Sequence, residues 1–351
     1  MMRPCGVFNV HYRQDMAIVR TPLQWAMLLI FLGFMLFLFP RMVPSVYVSL
    51  VTYMGIFVIA FHGLNIITGY AGQISVGHAA FMGVGAYASA ILMAKVHLPF
   101  LLALLLAGVI AAFIGTFFGA PSVRIKGFYL ALCTLAAHFI IIYVINNWKS
   151  LTGGPYGITV PAASVAGVTL KSTESYYYLV MAITVVMTFF AVNITRTKAG
   201  RAFIAIRDND IAAEVMGINI FRYKLLAFAI GTFYAGIAGA LIAQQWRFAN
   251  TDFFPLMDAI WYLGMLVVGG LGSNLGPIFG AVVYRGLAYV VDSYFPVLAT
   301  MIPWGHAEQF ATLGLLVYAA VIILFLIFEP RGLAHRWHIF KTRYRLFPFS
   351  Y

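Results

Sequence analysis

Residues 195–224 read TRTKAGRAFIAIRDNDIAAEVMGINIFRYK and hold nine of the chain's 32 charged side chains. These are Arg196, Lys198, Arg201, Arg207, Asp208, Asp210, Glu214, Arg222 and Lys224, whereas only 9% of the whole chain is charged. Interleaved charges of both signs beside apolar residues suit hydrogen bonding and ion pairing across a protein surface. A purely basic helix would favour lipid instead. The chemistry expected of this stretch is docking.

A second set of residues could act on a solute. Asn65, Thr68, Gln73, Ser75 and His78 lie in or beside apolar runs, next to Gly69 and Gly77. Gln244, Gln245, Asp258 and Arg285 do the same further on. Polar groups inside a membrane span are costly and often mark a polar path. An unwound segment at 69–77 would aim helix-end dipoles into a cavity, which suits a zwitterion. The alternative is structural: Ser and Thr bond their own helix, a lone His finds a partner, and Asp258 and Arg285 snorkel or pair.

Covalent chemistry finds no support. No G-x-x-x-x-G-K-[ST] phosphate loop occurs, nor any Gly-Lys dipeptide, so ATP hydrolysis would have to occur elsewhere. HAEQF at 306–310 lacks the second His of a zinc-protease motif, and G-x-S-x-G and G-x-G-x-x-G are missing. Cys5 and Cys133 offer no metal spacing. No catalytic residue, metal site or bound cofactor is expected in this chain.

The elements that must position these residues follow from composition. The chain is 63% apolar, with a mean hydropathy of +0.93, and a soluble protein would carry about a quarter charged residues. Lipid is the expected solvent. Apolar runs near 23–39, 44–67, 74–94, 98–120, 128–147, 176–194, 225–246, 256–272, 275–295 and 311–328 predict ten spans. The basic N-terminus is not followed by a small-residue cleavage site, so the first run is expected to stay as a helix. An even number of spans puts both termini on one side. Placing them in the cytoplasm gathers there three N-terminal cations, Arg124, Lys126, six between 195 and 224, and five from Arg331 to Arg345. Only Arg41, Lys95, Lys149, Lys171 and Arg247 face outward, a bias that fixes the orientation. The net charge of +12 is thus topological, and nucleic acid is not a partner.

Two glycine-rich segments, GYAGQISVGHAAFMGVGAY (69–87) and GGLGSNLGPIFGAVVY (269–284), each join one apolar run to the next. They suggest two related halves with interrupted helices at corresponding places. Close helix packing is the other reading, through Gly115-x-x-x-Gly119 and Gly276-x-x-x-Gly280. In the charged loop, Ala199 to Met216 predicts one helix, with Phe203, Ile206 and Val215 on an apolar face. Gly217 sits where a left-handed cap is wanted. The longest outward loop, 148–175, is rich in Gly, Pro and Ser and reads as a surface connection.

The run GRAFIAIRDNDIAAEVMGINIFRYKLLAFAIGTFYAGIAGAL resembles the permease subunits of branched-chain amino-acid ABC importers (the LivM-like branch). So do GLNIITGYAGQISVGHAAFMGVGAYASAIL, LTGGPYGITVP and YLGMLVVGGLGSNLGPIFGAVV, in family order from about Gly63 to the tail. The resemblance implies a cytoplasmic coupling helix that fits a groove on a separate ATPase. Ala212-Ala213-x-x-x-Gly217 resembles a degenerate form of the Ala-Ala-x-x-x-Gly core of such loops, with Ile211 where an acidic residue usually stands. Arg201, Arg207, Asp208, Asp210, Ala212, Ala213, Glu214 and Gly217 are the coupling candidates. Asn65, Gly69, Gln73, Ser75, Gly77 and His78 are the path candidates.

The expected fold is all-α: a polytopic bundle of about ten transmembrane helices in two related halves with broken glycine-rich segments. Residues 1–22 form a cytoplasmic lead, 23–328 the permease domain with its coupling loop at 195–224, and 329–351 a basic cytoplasmic tail. The implied partners are a second permease subunit, two ATP-binding cassette ATPases carrying ATP and Mg, a periplasmic solute-binding protein and the bilayer. The implied function is import of branched-chain or other hydrophobic amino acids through the bacterial inner membrane. Its rivals are a urea or short-chain amide ABC permease and a stand-alone ion-coupled secondary transporter, and the latter would need an embedded ionisable relay.

Overall fold

A computed structural model describes residues 22–122, 127–165, 168–169, 172–301 and 307–346. The N-terminal lead up to residue 21, Arg124, Lys126 and Lys171 lie outside the described residues. Helix α1 (Pro22–Gly33) continues through a π-helical stretch, Phe34–Leu38, to Met42. Helix α2 (Ser45–Leu64) ends in a second π-helical turn, Asn65–Tyr70. There follow α3 (His78–Ala94), α4 (Phe100–Ser122), α5 (Phe128–Asn147) and α6 (Thr173–Arg196). The charged loop folds as α7 (Lys198–Asp208) and α8 (Asp210–Val215). Then come α9 (Ile220–Trp246), α10 (Leu256–Gly269), α11 (Gly276–Met301), α12 (Ala307–Phe328) and α13 (Leu333–Leu346).

Each of the ten apolar runs contains a helix, and the fold is an all-α multi-pass membrane bundle. Ten is only approximate as a number of spans. Among the described residues seven helices are long and apolar enough to cross a bilayer, or up to eight if the bent pair Leu316–Phe328 and Leu333–Arg343 counts as one. Helix α3 is too short at 17 residues, where about 20 are needed. The chain from 71 to 77 remains non-helical and shortens the run that the sequence assigns to 74–94.

The lipid-facing and protein-facing surfaces are both apolar, as expected where the solvent is hydrocarbon. Phe113 and Phe117 of α4, Tyr143 of α5 and Phe189 of α6 point outward, Phe113 with 75% of its surface free. A water-soluble protein does not expose so wide a belt.

Helix α9 is the hub, packed along α2, α3 and α4. Its small residues allow this. A Cβ at Gly236 would lie 2.6 Å from the Ala111 methyl, and one at Gly63 of α2 would strike the Gly231 carbonyl of α9. Gly115 and Gly119 of α4 likewise abut Thr232 and Phe228 of α9. Without a water-driven hydrophobic force, such close backbone approach is what holds membrane helices together.

At the end of the bundle opposite the charged loop, residues 158–159 pair antiparallel with 248–249. Val160 N–H donates to the Arg247 carbonyl at 2.9 Å, and Thr251 Oγ1 donates to Asn146 Oδ1 at 2.9 Å. Lys95 Nζ donates to the Ser150 carbonyl at 2.7 Å. The described part of the 148–175 loop is therefore fastened to the helices rather than free.

Candidate functional site

Between α2 and α3 the chain leaves helical geometry twice. The π-helical turn at Asn65–Tyr70 inserts a residue into the helical ladder. Gly72 then takes φ +68°, a left-handed value that glycine adopts without strain. Thr68 Oγ1 donates to the Gln73 carbonyl at 3.0 Å, and Val76 N–H donates to Thr134 Oγ1 on α5 at 3.0 Å. Gly77 packs its Cα directly on the Thr134 carbonyl. His78 opens α3 with Nε2 at 2.9 Å from the Ala60 carbonyl. Around this frame Gln73 Nε2 and Oε1, Ser75 Oγ and His78 Nδ1 are buried and make no hydrogen bond to the described residues.

The second break, between α10 and α11, is held by several side-chain hydrogen bonds. Gly270 and Gly272 turn the chain at φ +114° and +68°. Ser273 Oγ donates to the Gly270 carbonyl at 2.8 Å and accepts from Gly276 N–H at 2.9 Å, capping α11.

The two breaks touch. Asn65 Nδ2 donates to the Ser273 carbonyl at 2.9 Å, and Asn65 Oδ1 accepts from Gly272 N–H at 2.9 Å. Tyr70 OH donates to Asn274 Oδ1 at 2.6 Å, and Thr195 Oγ1 donates to the same oxygen at 3.4 Å. One asparagine side chain thus closes a clasp across 208 residues of sequence.

The charged loop is fixed by three consecutive caps. Thr197 Oγ1 accepts from Gly200 N–H, Asn209 Oδ1 from Ala212 N–H, and Asn219 Oδ1 from Arg222 N–H. Each satisfies an orphan donor at a helix start. The single helix expected from Ala199 to Met216 is in fact two, because Asn209 is extended (φ −159°, ψ 107°) and caps the second. Gly217 does end α8, at φ +83°. Ile218 N–H donates to the Ala213 carbonyl and Gly217 N–H to the Glu214 carbonyl, the paired bonds of a Schellman cap.

The two short helices keep one common buried face across the break at Asn209. Phe203 and Ile206 of α7 and Ala213 of α8 turn inward and are buried. Val215, which the sequence placed on the same apolar face, points outward together with Ile211 and Met216 at 83%, 68% and 81% exposure. Ala212 and Glu214 are exposed beside them, as is Arg201, which donates to the Arg196 carbonyl at 3.2 Å. These three apolar side chains make an uncovered knob on a charged loop. Sequence reasoning passed over Ile211 and Met216, although Ile211/Val215 and Ala212/Met216 are i, i+4 pairs.

Arg207 connects that loop to both breaks. Its Nη1 donates to the Gly69 carbonyl at 2.9 Å, and its guanidinium pairs with Asp208 at 2.9 Å. A Cβ on Gly72 would lie 2.9 Å from Arg207 Cγ, and one on Gly272 would lie 2.7 Å from its Nη1. The side chain is threaded between one glycine of each break. Beside it a cleft of about 340 Å³ is lined by Gly72, Gln73, Asp208, Asp210 and Lys224 among others.

Of the path candidates, Asn65 and Gly69 belong to the clasp, while Gly77 and His78 hold α3 against its neighbours. Gln73 and Ser75 are left with unused polar atoms. Asp258 and Arg285 are held among aromatic rings: the guanidinium lies 4.6 Å from the Tyr53 ring centre, and Tyr262 OH is 3.4 Å from Asp258 Oδ2. Among the described residues no group of three His, Cys, Asp or Glu could hold a metal ion.

The fold is thus a multi-pass helical membrane bundle in which two clasped breaks lie against a capped, charged loop. The family model for the branched-chain amino acid transport system / permease component matches residues 46–326, and the chain belongs to this family. It is 29% identical over 274 residues to the high-affinity branched-chain amino acid transport system permease protein LivM of Escherichia coli K12, covering 71% of this chain and 61% of that protein. The probable branched-chain amino acid transport permease protein LivM of Methanocaldococcus jannaschii is 26% identical over 243 residues, covering 66% of this chain and 67% of its own. The LivH permease protein of the corresponding Salmonella typhimurium system is 26% identical over 206 residues, covering 56% and 62%. The matched stretch spans 61% of the length of the Escherichia coli relative. No solved structure matches the chain.

Proposed function

We propose that this chain is one translocation subunit of an ABC importer for branched-chain or other hydrophobic amino acids. It works in the bacterial inner membrane with both termini in the cytoplasm, beside a second permease subunit, two ATPases that bind ATP and Mg, and a periplasmic solute-binding protein. The chain itself is non-catalytic. Its segments divide as a cytoplasmic lead (1–22), a permease domain (23–328) and a basic tail (329–351).

Arg207 carries this reading. The Ile211–Val215–Met216 knob docks on the ATPase, and movement of α7 and α8 reaches the membrane through the Arg207 side chain held between Gly72 and Gly272. A shift of the loop must therefore move both breaks. The aligned relatives are transport permeases, and the charge bias of the sequence supports a loop on the side where ATP is found.

Two substitutions separate docking from transmission. Val215→Asp, at the exposed knob, should prevent co-purification of the ATPases. Arg207→Ala should leave them bound and hydrolysing but lower solute uptake roughly tenfold, the scale of one charge-assisted hydrogen bond. Both are read in reconstituted vesicles. Normal uptake by Arg207→Ala together with retained ATPase in Val215→Asp would overturn the reading.

A further inference from the structure

We propose that the tail helix α13 holds an anionic phospholipid against the second break, with acyl chains in an apolar groove and the phosphate on Arg331 and Lys341. The groove encloses about 610 Å³ between α13 and the end of α10. Val267, Leu271, Leu275 and Trp337 wall it, and Arg331 and Lys341 stand on its rim. Leu271, Leu275 and Trp337 are 43%, 41% and 48% exposed, so the wall is open to an occupant.

The order of surfaces favours a lipid over an acidic protein. At the last turn of α12, the apolar Ile327 and Phe328 are 66% and 73% exposed. The chain then bends by 44° into α13, so a helix with an exposed apolar end leads directly into the helix that carries the cations. That is the sequence of environments a phospholipid offers from tail to headgroup. Helix α13 (LAHRWHIFKTRYRL) contains no Asp or Glu. The nearby Glu329 is already paired with Arg336. A second groove of about 360 Å³ along α13 sets Phe279 and Phe340 beside Arg343, with Arg336 already held by Glu329. Charge complementarity therefore selects an anionic headgroup.

The site is continuous with the break. Ser273 and Asn274 line the same groove. Gly332, at φ +76°, lets the chain pass so close to Gly270 that a Cβ would lie 2.6 Å from the Gly270 Cα. A lipid in the groove would brace the segment that Asn65 clasps.

The test uses the full chain, with the subunits that co-purify, in nanodiscs containing phosphatidylglycerol or phosphatidylcholine brominated on the acyl chains. Trp337 emission is isolated by difference from Trp337→Phe. Phosphatidylglycerol should quench it preferentially. The double substitution Arg331→Gln, Lys341→Gln should weaken that preference by about 25-fold, each cation near an anionic surface contributing about fivefold. Equal quenching by both lipids, or a preference unchanged in the double variant, would overturn the proposal. So would quenching that disappears once the ATPases are bound, because the groove would then be a protein contact.

Discussion

From Gly69 to His78 the chain buries Gln73, Ser75 and His78 with four polar side-chain atoms that meet no partner among the described residues. Between Gly269 and Gly276, Ser273 uses its hydroxyl twice and its carbonyl once, and Asn274 accepts from Tyr70. Both segments use glycines at φ +68° to turn, and both hold the same arginine. The difference lies in what their polar atoms do. An unpaired buried polar group costs about 1–3 kcal/mol, so the four atoms of the first break are the ones that a water or a solute would have to satisfy. The second break is a fitted socket. The first leaves four polar atoms that bond to no described residue.

The largest effect should come from the first break's steric floor. In Gly77→Leu the new side chain would start on the Thr134 backbone carbonyl, which cannot rotate away. Overpacking of this kind costs about 1–3 kcal/mol or more, and here it also parts the Val76–Thr134 bond. Uptake should be abolished while the chain still inserts. Gly83→Ala is the control: its Cβ would meet Phe254 at an ordinary 3.4 Å, so uptake should be kept. Equal uptake by both variants would show that the tight floor is incidental.

Breaking the clasp should come next. Asn65→Leu removes both hydrogen bonds to the second break and leaves the Gly272 N–H and Ser273 carbonyl without their partner. About 3 kcal/mol should be lost, read as a lower thermal midpoint in detergent. Asn65→Asp keeps the acceptor for Gly272 but turns a buried carboxylate oxygen toward the Ser273 carbonyl, so it should lose at least as much. If Asn65→Leu melted like the parent, the two breaks would not be stabilised by each other.

Much of this architecture was legible in the sequence. Apolar length marked every major helix, Gly217 marked the end of the loop helix, and the polar residues near 65–78 marked a special segment. The clasp was not legible, because nothing local to Asn65 refers to Ser273, 208 residues away. Nor was the division of the loop helix. Asn209 is a strong cap set among good helix formers, and its capping bond to Ala212 prevailed over their propensity. The face drawn through Phe203, Ile206 and Val215 failed on its period: Val215 stands nine residues, half a turn, from Ile206, whereas Ala213 stands seven residues from it and is buried beside it. Arg207 looked like one charge among nine. Only the fold brings it between two glycines.

The smallest expected change in stability is the most informative about the first break. Ser75→Ala and Gln73→Leu remove side-chain atoms that bond nothing among the described residues. Deleting an unsatisfied polar group from an apolar surrounding is neutral or stabilising, since no bond is lost and a desolvation cost is relieved. The thermal midpoint should therefore stay level or rise slightly. Ser273→Ala, at the equivalent place in the second break, deletes a helix cap and should lose about 1 kcal/mol. If Ser75 and Gln73 line the solute's path, uptake should move the other way, slower in Ser75→Ala and Gln73→Leu at unchanged expression. A drop in midpoint at Ser75 or Gln73 comparable with that at Ser273 would mean that ordered water already satisfies them as structure. The contrast between a reserved break and a fitted one would then disappear, and with it the reason for placing the solute's path beside Gln73.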